Sequence, residues 1–128
     1  MRPAISDGDS IFVSTGISEI ERGDIIYFRY PRDPEEFYMK RVIGLPGETI
    51  EIVDGITMIN GVKLQESYVD SKFNQTGSSH PRTAILPDQY FVMGDNRDNS
   101  SDSRYWGAVE RELIVGKYIW KYASADPN

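Results

Sequence analysis

Hydrophobic and polar positions alternate with a period of two along most of the chain. In EFYMKRVIGLPGE (36–48), Phe37, Met39, Arg41 and Ile43 fall on one face and Tyr38, Lys40 and Val42 on the other. This pattern predicts a β-strand that ends in a turn at Pro46-Gly47. GDSIFVS (8–14) and GDIIYFRY (23–30) each read as a Gly-Asp turn leading into a β-branched and aromatic strand. TIEIVDGITMINGVKL (49–64) reads as a β-meander, with a two-residue hairpin signal at Asp54-Gly55 and a second turn at Asn60-Gly61. Residues 66–82 are polar and loop-like and are expected to form an excursion from the body. TAIL, QYFVMGD and LIVGKYIWKYA (113–123) complete the strands. No helical period persists beyond a turn or so. The expectation is an all-β single domain over 1–128, with a coiled or barrel-like antiparallel sheet.

Composition narrows the chemistry. The 128 residues carry 14 Lys and Arg against 20 Asp and Glu, a net charge of −6. That balance opposes a nucleic-acid footprint, which needs a basic stripe. There are no cysteines, so disulfides, thiolate zinc sites and cysteine nucleophiles are excluded. The single histidine, His80, sits in a loop-like stretch, which closes off a histidine-built metal site. No apolar run approaches the ~18 residues of a membrane span, and no N-terminal signal pattern is present, so the chain as it stands is expected to be soluble.

Two places carry candidate chemistry. Lys40 lies between an aromatic and a β-branched neighbour on its strand face. On that strand alone, a lysine whose stem covers apolar neighbours and whose head reaches water is the plainer reading. The second place is MGDNRDNSSDSRYWG (93–107), which follows an apolar strand with three aspartates, two arginines, two asparagines and three serines. A polar surface loop is one reading. A calcium loop fails on spacing, because counting from Asp95 puts Arg97 at the third position and Ser100 where glycine is required. A partly buried scaffold of paired Asp and Arg, with a serine orienting another side chain, suits the mixed charge and the closing Tyr105-Trp106 pair better.

Taken together, KRVIGLPGE and MGDNRDNSSDSRYWG closely resemble the bacterial type I signal peptidases, leader peptidases that use a serine–lysine dyad. The resemblance covers nearly the whole chain. MRPAISDGDSIFVS is similar to the family's segment after the nucleophile, and GDIIYF, ING and GKYIW follow in family order. It implies antiparallel sheets of the signal-peptidase type and a serine endopeptidase that removes signal peptides from exported pre-proteins after small residues, as at Ala-x-Ala sites. Carried over, Lys40 is the general base and Ser100 the hydroxyl that orients its amine. Asp102 and Arg104 form the ion pair that holds the loop, with Asp95 and Arg97 in support. The backbone of Phe37, Tyr38 and Met39 would pair with substrate as an added strand. Met1 and Ile5 would line the pocket for the small residue. The implied partners are signal peptides and the membrane surface, with Trp120 a candidate for interfacial contact. The implied location is the cell membrane, with this domain on its extracytoplasmic face, and no cofactor is implied.

The resemblance changes the reading of Lys40. Only a neutral amine can deprotonate a serine hydroxyl, whereas free lysine ionises near 10.4. Burial between Tyr38 and Val42 would lower that value, provided no carboxylate lies within pairing reach. The family's nucleophilic serine immediately precedes the methionine matching Met1. Its oxyanion-assisting hydroxyl and its membrane anchor lie further upstream. Ala4 and Ile5 replace the more usual Thr and Leu, while Ser6 and Ser10 read as turn and strand-start residues. The 128-residue chain is therefore expected to fold without cleaving. Two other readings compete. A non-catalytic peptide-binding relative would have no need of Lys40 and Ser100. A self-cleaving repressor-type serine–lysine protease would need an internal cleavage segment and a DNA-binding module, and neither is visible.

Overall fold

The computed structural model describes residues 10–14 and 19–123, and for 10–14 and 119–123 the backbone alone. Among the described residues ten strands run in chain order: β1 (Ser10–Ser14), β2 (Ile25–Tyr30), β3 (Asp33–Gly44), β4 (Thr49–Val53), β5 (Ile56–Ile59), β6 (Val62–Lys63), β7 (His80–Ala84), β8 (Gln89–Met93), β9 (Val109–Glu110) and β10 (Ile114–Ala123). The only α-helix among the described residues is the single turn α1 (Ser103–Trp106), so no helix there is long and apolar enough to cross a membrane. All strand pairs are antiparallel. One sheet has the order β1-β10-β2-β3-β8-β9 and the other β6-β5-β4-β7. The all-β expectation holds; among the described residues neither sheet closes on itself, so the barrel-like character stops short of a barrel.

The turns follow from their residues. Asp54-Gly55 and Asn60-Gly61 all have positive φ, the geometry that lets a two-residue turn match the twist of its flanking strands. At the β3–β4 corner Pro46 is followed by Gly47 at φ 84, closed by a hydrogen bond from Glu48 N to Leu45 O of 3.1 Å. Arg22 clamps this corner through both nitrogens of its fork, donating to Glu48 Oε1 at 2.7 Å and Oε2 at 2.6 Å.

Strand alternation divides the interior. On β3 and β8, Val42 and Val92 face a cluster with Ile26, Phe28 and Val109. Ile43, Phe91 and Met93 face the opposite way, into a cluster with Ile50, Ile52, Ile59 and Ile85 that joins the two sheets. Each fully buried large side chain here contributes about 1.5–3 kcal/mol. β3 and β8 are thus held from both faces, which makes their shared end a rigid place to build on.

The polar stretch 66–82 differs from the loop its composition suggests. Its last three residues belong to β7, which pairs with β4 through Ile52↔His80, Ile50↔Thr83 and Thr49↔Ala84. Pro81 hides that strand in the sequence, yet β7 is an edge strand, where proline's missing N–H costs no ladder bond. The remainder lies against the body, with Tyr68 packed on the second cluster.

Candidate active site

Lys40 sits where β3 and β8 part. The two strands pair at Val42↔Val92 and Arg41↔Met93, and at Gly94 the chain leaves the sheet. The next β3 residue, Lys40, paired with Ile26 of β2 on its other side, therefore meets the loop that follows β8 where a β8 partner would stand. That loop returns Ser100 to the amine: Lys40 Nζ donates to Ser100 Oγ at 3.1 Å. The same hydroxyl accepts from Gly94 N at 3.2 Å. A Cβ on Gly94 would lie 2.3 Å from Ser100 Oγ and 3.6 Å from Lys40 Nζ, so this close approach needs glycine.

The loop is held by buried charge. Asp102 and Asp95 are completely buried, and Arg97 nearly so. Arg104 grips Asp102 with two donors at 2.9 and 2.8 Å, and Asp102 Oδ2 also accepts from Gly94 N at 3.1 Å. Asp102 Oδ1 further accepts from Arg104 N and so caps α1. Asp95 pairs with Arg41, from Nε at 2.9 Å and Nη2 at 2.8 Å. Arg97 pairs with Glu66, and its Nε donates to Gly94 O at 2.9 Å. Ser103 Oγ accepts from Val92 N at 2.9 Å, and Ser101 Oγ from Trp106 Nε1 at 3.0 Å.

Lys40 forms no ion pair with any carboxylate among the described residues. Burial pushes its amine below the ordinary lysine range, and the Arg104 guanidinium adds to this. The Asp102 carboxylate, the larger of the nearby charge effects, pulls the other way, and Asp95 does so less. The Tyr38 ring lies beside the amine, with its centroid 5.8 Å from Nζ. Tyr38 is itself stacked on Tyr30 at 4.5 Å and met edge-on by Trp106. Chemically, this is a half-buried amine with one N–H held by Ser100.

The structure brings together Lys40, Ser100, Asp95, Arg97, Asp102 and Arg104. Phe37, Tyr38 and Met39 lie on the outer half of β3, which pairs with β2 on one side. β8 reaches only as far as Arg41, so the other edge of 37–39 has no strand partner among the described residues. Met1, Ile5 and Ser6 lie outside the described residues. Ser10 and Trp120 are described only by backbone pairing, with Ala123 and Phe12 respectively.

Sequence reasoning passed over Arg41, Glu66 and Gly94. A charged residue within an apolar strand was the available sign for Arg41, since such a residue needs a partner once buried. A glycine ending the apolar run of β8 was the sign for Gly94. Glu66 had no local sign, because it stands 31 residues from Arg97 in a stretch that reads as loop.

Comparison with known proteins follows the same outline. The family described as signal peptidase, peptidase S26, matches residues 1–123. The chain is 40% identical to a signal peptidase I of Bacillus amyloliquefaciens, over 91% of this chain and 65% of that protein. It is 36% identical to a signal peptidase I of Leptolyngbya laminosa, over 95% of this chain and 64% of that protein. It thus spans less than two thirds of either relative. The crystal structure of a signal peptidase I from Enterococcus faecalis V583 superposes with a TM-score of 0.67 at 39% identity, covering 80% of this chain and 98% of that one.

Proposed function

The chain belongs to the signal peptidase family, peptidase S26, and we propose that Lys40 is the general base of a serine endopeptidase that removes signal peptides from exported pre-proteins. The serine it activates is the one that the resemblance to the family implies immediately ahead of Met1. The observation that carries this reading is the Lys40–Ser100 contact of 3.1 Å around an amine depressed by burial and, among the described residues, free of any carboxylate ion pair. A neutral amine has two N–H groups and one lone pair. Donation of one N–H to Ser100 fixes rotation about the Cε–Nζ bond and leaves the lone pair for the nucleophile's proton.

The chemistry then runs in two halves. Lys40 takes the serine proton as Oγ bonds to the scissile carbonyl carbon, and the ammonium hands that proton to the departing amine. Water repeats the sequence on the acyl-enzyme. Substrate pairs along the free edge of 37–39 as an added strand, whose alternate side chains enter pockets. Small residues are accepted, as at Ala-x-Ala sites. The domain works on the extracytoplasmic face of the membrane.

The test compares the 128-residue chain with one extended upstream through the native residues, using a peptide with an Ala-x-Ala site. The extended chain cleaves and the short one does not. In the extended chain, Lys40→Met reduces kcat by about 10²–10⁴-fold or more. Cleavage by Lys40→Met within a few-fold of the parent would overturn the assignment.

A further inference from the structure

Segment 66–79 belongs to neither sheet and contributes no group to the chemistry proposed above, yet it is fastened to the site loop along its length. At its start the Glu66 carboxylate receives two arms of the Arg97 guanidinium, with the side chains only 10% and 2% exposed. Tyr68 donates to Glu66 Oε2 at 3.1 Å and lies under the Arg41 guanidinium. In the middle, Asp98 N donates to Phe73 O at 3.0 Å, and the Asp98 carboxylate accepts from Gln75 N and Thr76 N. Near its end, Ser78 Oγ accepts from Arg104 Nη1 at 2.9 Å. The segment is tied to the four-stranded sheet by Asn74 Nδ2 donating to Gly55 O and Gly55 N donating to Ser78 O.

Two of these fastenings converge on one residue, Gly94. Glu66 holds Arg97, whose Nε donates to Gly94 O. Ser78 holds Arg104, which grips Asp102, and Asp102 accepts from Gly94 N. Gly94 N also meets Ser100 Oγ, the atom that pins Lys40. Its carbonyl is therefore held by Arg97, which pairs with Glu66, and its N–H by Asp102, whose partner Arg104 is bonded to Ser78.

We propose that 66–79 is a positioning strap for the Lys40–Ser100 pair, with Glu66 and Ser78 as its positioning residues. It couples the four-stranded sheet to the site and keeps the Gly94–Ser100 turn closed over the amine. The proposal rests on Lys40 as the base, but its readout uses no substrate and is therefore decided apart from any cleavage assay.

The experiment titrates the lysine side chains of the 128-residue chain by NMR after isotopic labelling, with Lys40 assigned from a Lys40→Met sample. The exposed Lys63 and Lys72 serve as internal references. The groups that face Lys40 are the Asp102 and Asp95 carboxylates, the Arg104 guanidinium and the Tyr38 ring. In Glu66→Gln, loss of a negative charge acting only through space would lower the Lys40 midpoint. Loosening of the turn and entry of water act in the opposite direction. The strap predicts an upward shift, towards the ordinary lysine value of about 10.4. Ser78→Ala, which changes no charge, is predicted to shift the midpoint the same way. Ile59→Val, a comparable loss of packing in the four-stranded sheet, is predicted to leave it in place. A midpoint that is unmoved or lowered in folded Glu66→Gln, or unmoved in Ser78→Ala, would overturn the proposal. Should Glu66→Gln fail to fold, Ser78→Ala decides alone.

Discussion

Replacing Gly94 with alanine puts a methyl group into the space now filled by the Ser100 hydroxyl. The new Cβ would stand 2.3 Å from Ser100 Oγ and 2.8 Å from Ser100 Cβ, against the 3.0 Å below which such contacts essentially never occur. Gly94 is not in the left-handed region, so the backbone accepts alanine and the cost falls on the contact itself. To clear the methyl, Ser100 must retreat by about 0.7 Å. Taken along the Lys40 contact, that retreat stretches 3.1 Å beyond hydrogen-bond reach. A misplacement near 1 Å costs about 10²-fold in rate, or ~2.7 kcal/mol of barrier. Overpacking of a filled site costs about 1–3 kcal/mol of stability in addition. The assay is peptide cleavage by the upstream-extended chain, with melting recorded in parallel. The loss should fall on kcat, with KM little changed, because the free edge at 37–39 is untouched. A double variant with Ser100→Ala should be far less impaired than the product of the two single losses, since both act through the same hydroxyl. Wild-type kcat in a normally melting Gly94→Ala would refute the reasoning.

Three further outcomes follow from the same geometry. Asp102→Ala removes a buried carboxylate and strands Arg104, 4% exposed; it should cost about 3–5 kcal/mol and lower the melting temperature by roughly 10 °C or more. Lys40→Met should raise the melting temperature at neutral pH: the folded amine titrates lower than the unfolded one, so folding releases protons in the window between the lowered value and about 10.4. The native fold gains stability as pH rises through that window, and the advantage of methionine should shrink with it. Glu48→Gln should lower the melting temperature at neutral pH by the equivalent of about 0.5–1 kcal/mol, because the Arg22 hydrogen bonds hold the Glu48 carboxyl below its ordinary value. That contribution is present above the unfolded value near 4.3 and fades as pH falls through the folded one, so parent and variant should converge in acid melts.

Local patterns made the strands and the tight turns legible, because alternation and the Asp-Gly and Asn-Gly pairs act over a few residues. They also marked the stretch 93–107 as something other than a free loop. The pairing within it was not legible. Asp95 could have met any arginine, and its partner proved to be Arg41, 54 residues away on the strand that carries Lys40. The polar run 66–79 reads as solvent-exposed because its composition is polar. Its carboxylate and hydroxyl instead answer buried arginines, which a count of polar residues cannot distinguish from contact with water. β7 begins three residues before TAIL because proline at an edge strand leaves no hydrophobic sign of pairing. Lys40 needed both kinds of information, since its strand face was visible locally and its partner Ser100 lies 60 residues on.

The most direct test of Lys40 as the base is the pH dependence of kcat/KM in the upstream-extended enzyme, set beside the NMR titration of the Lys40 amine in the same protein. The account predicts that kcat/KM rises with pH through a midpoint matching the Lys40 titration, and that both lie below the ordinary lysine value of about 10.4. A rate profile governed by a midpoint that Lys40 does not share, or a Lys40 that titrates at the ordinary lysine value of about 10.4, would contradict it.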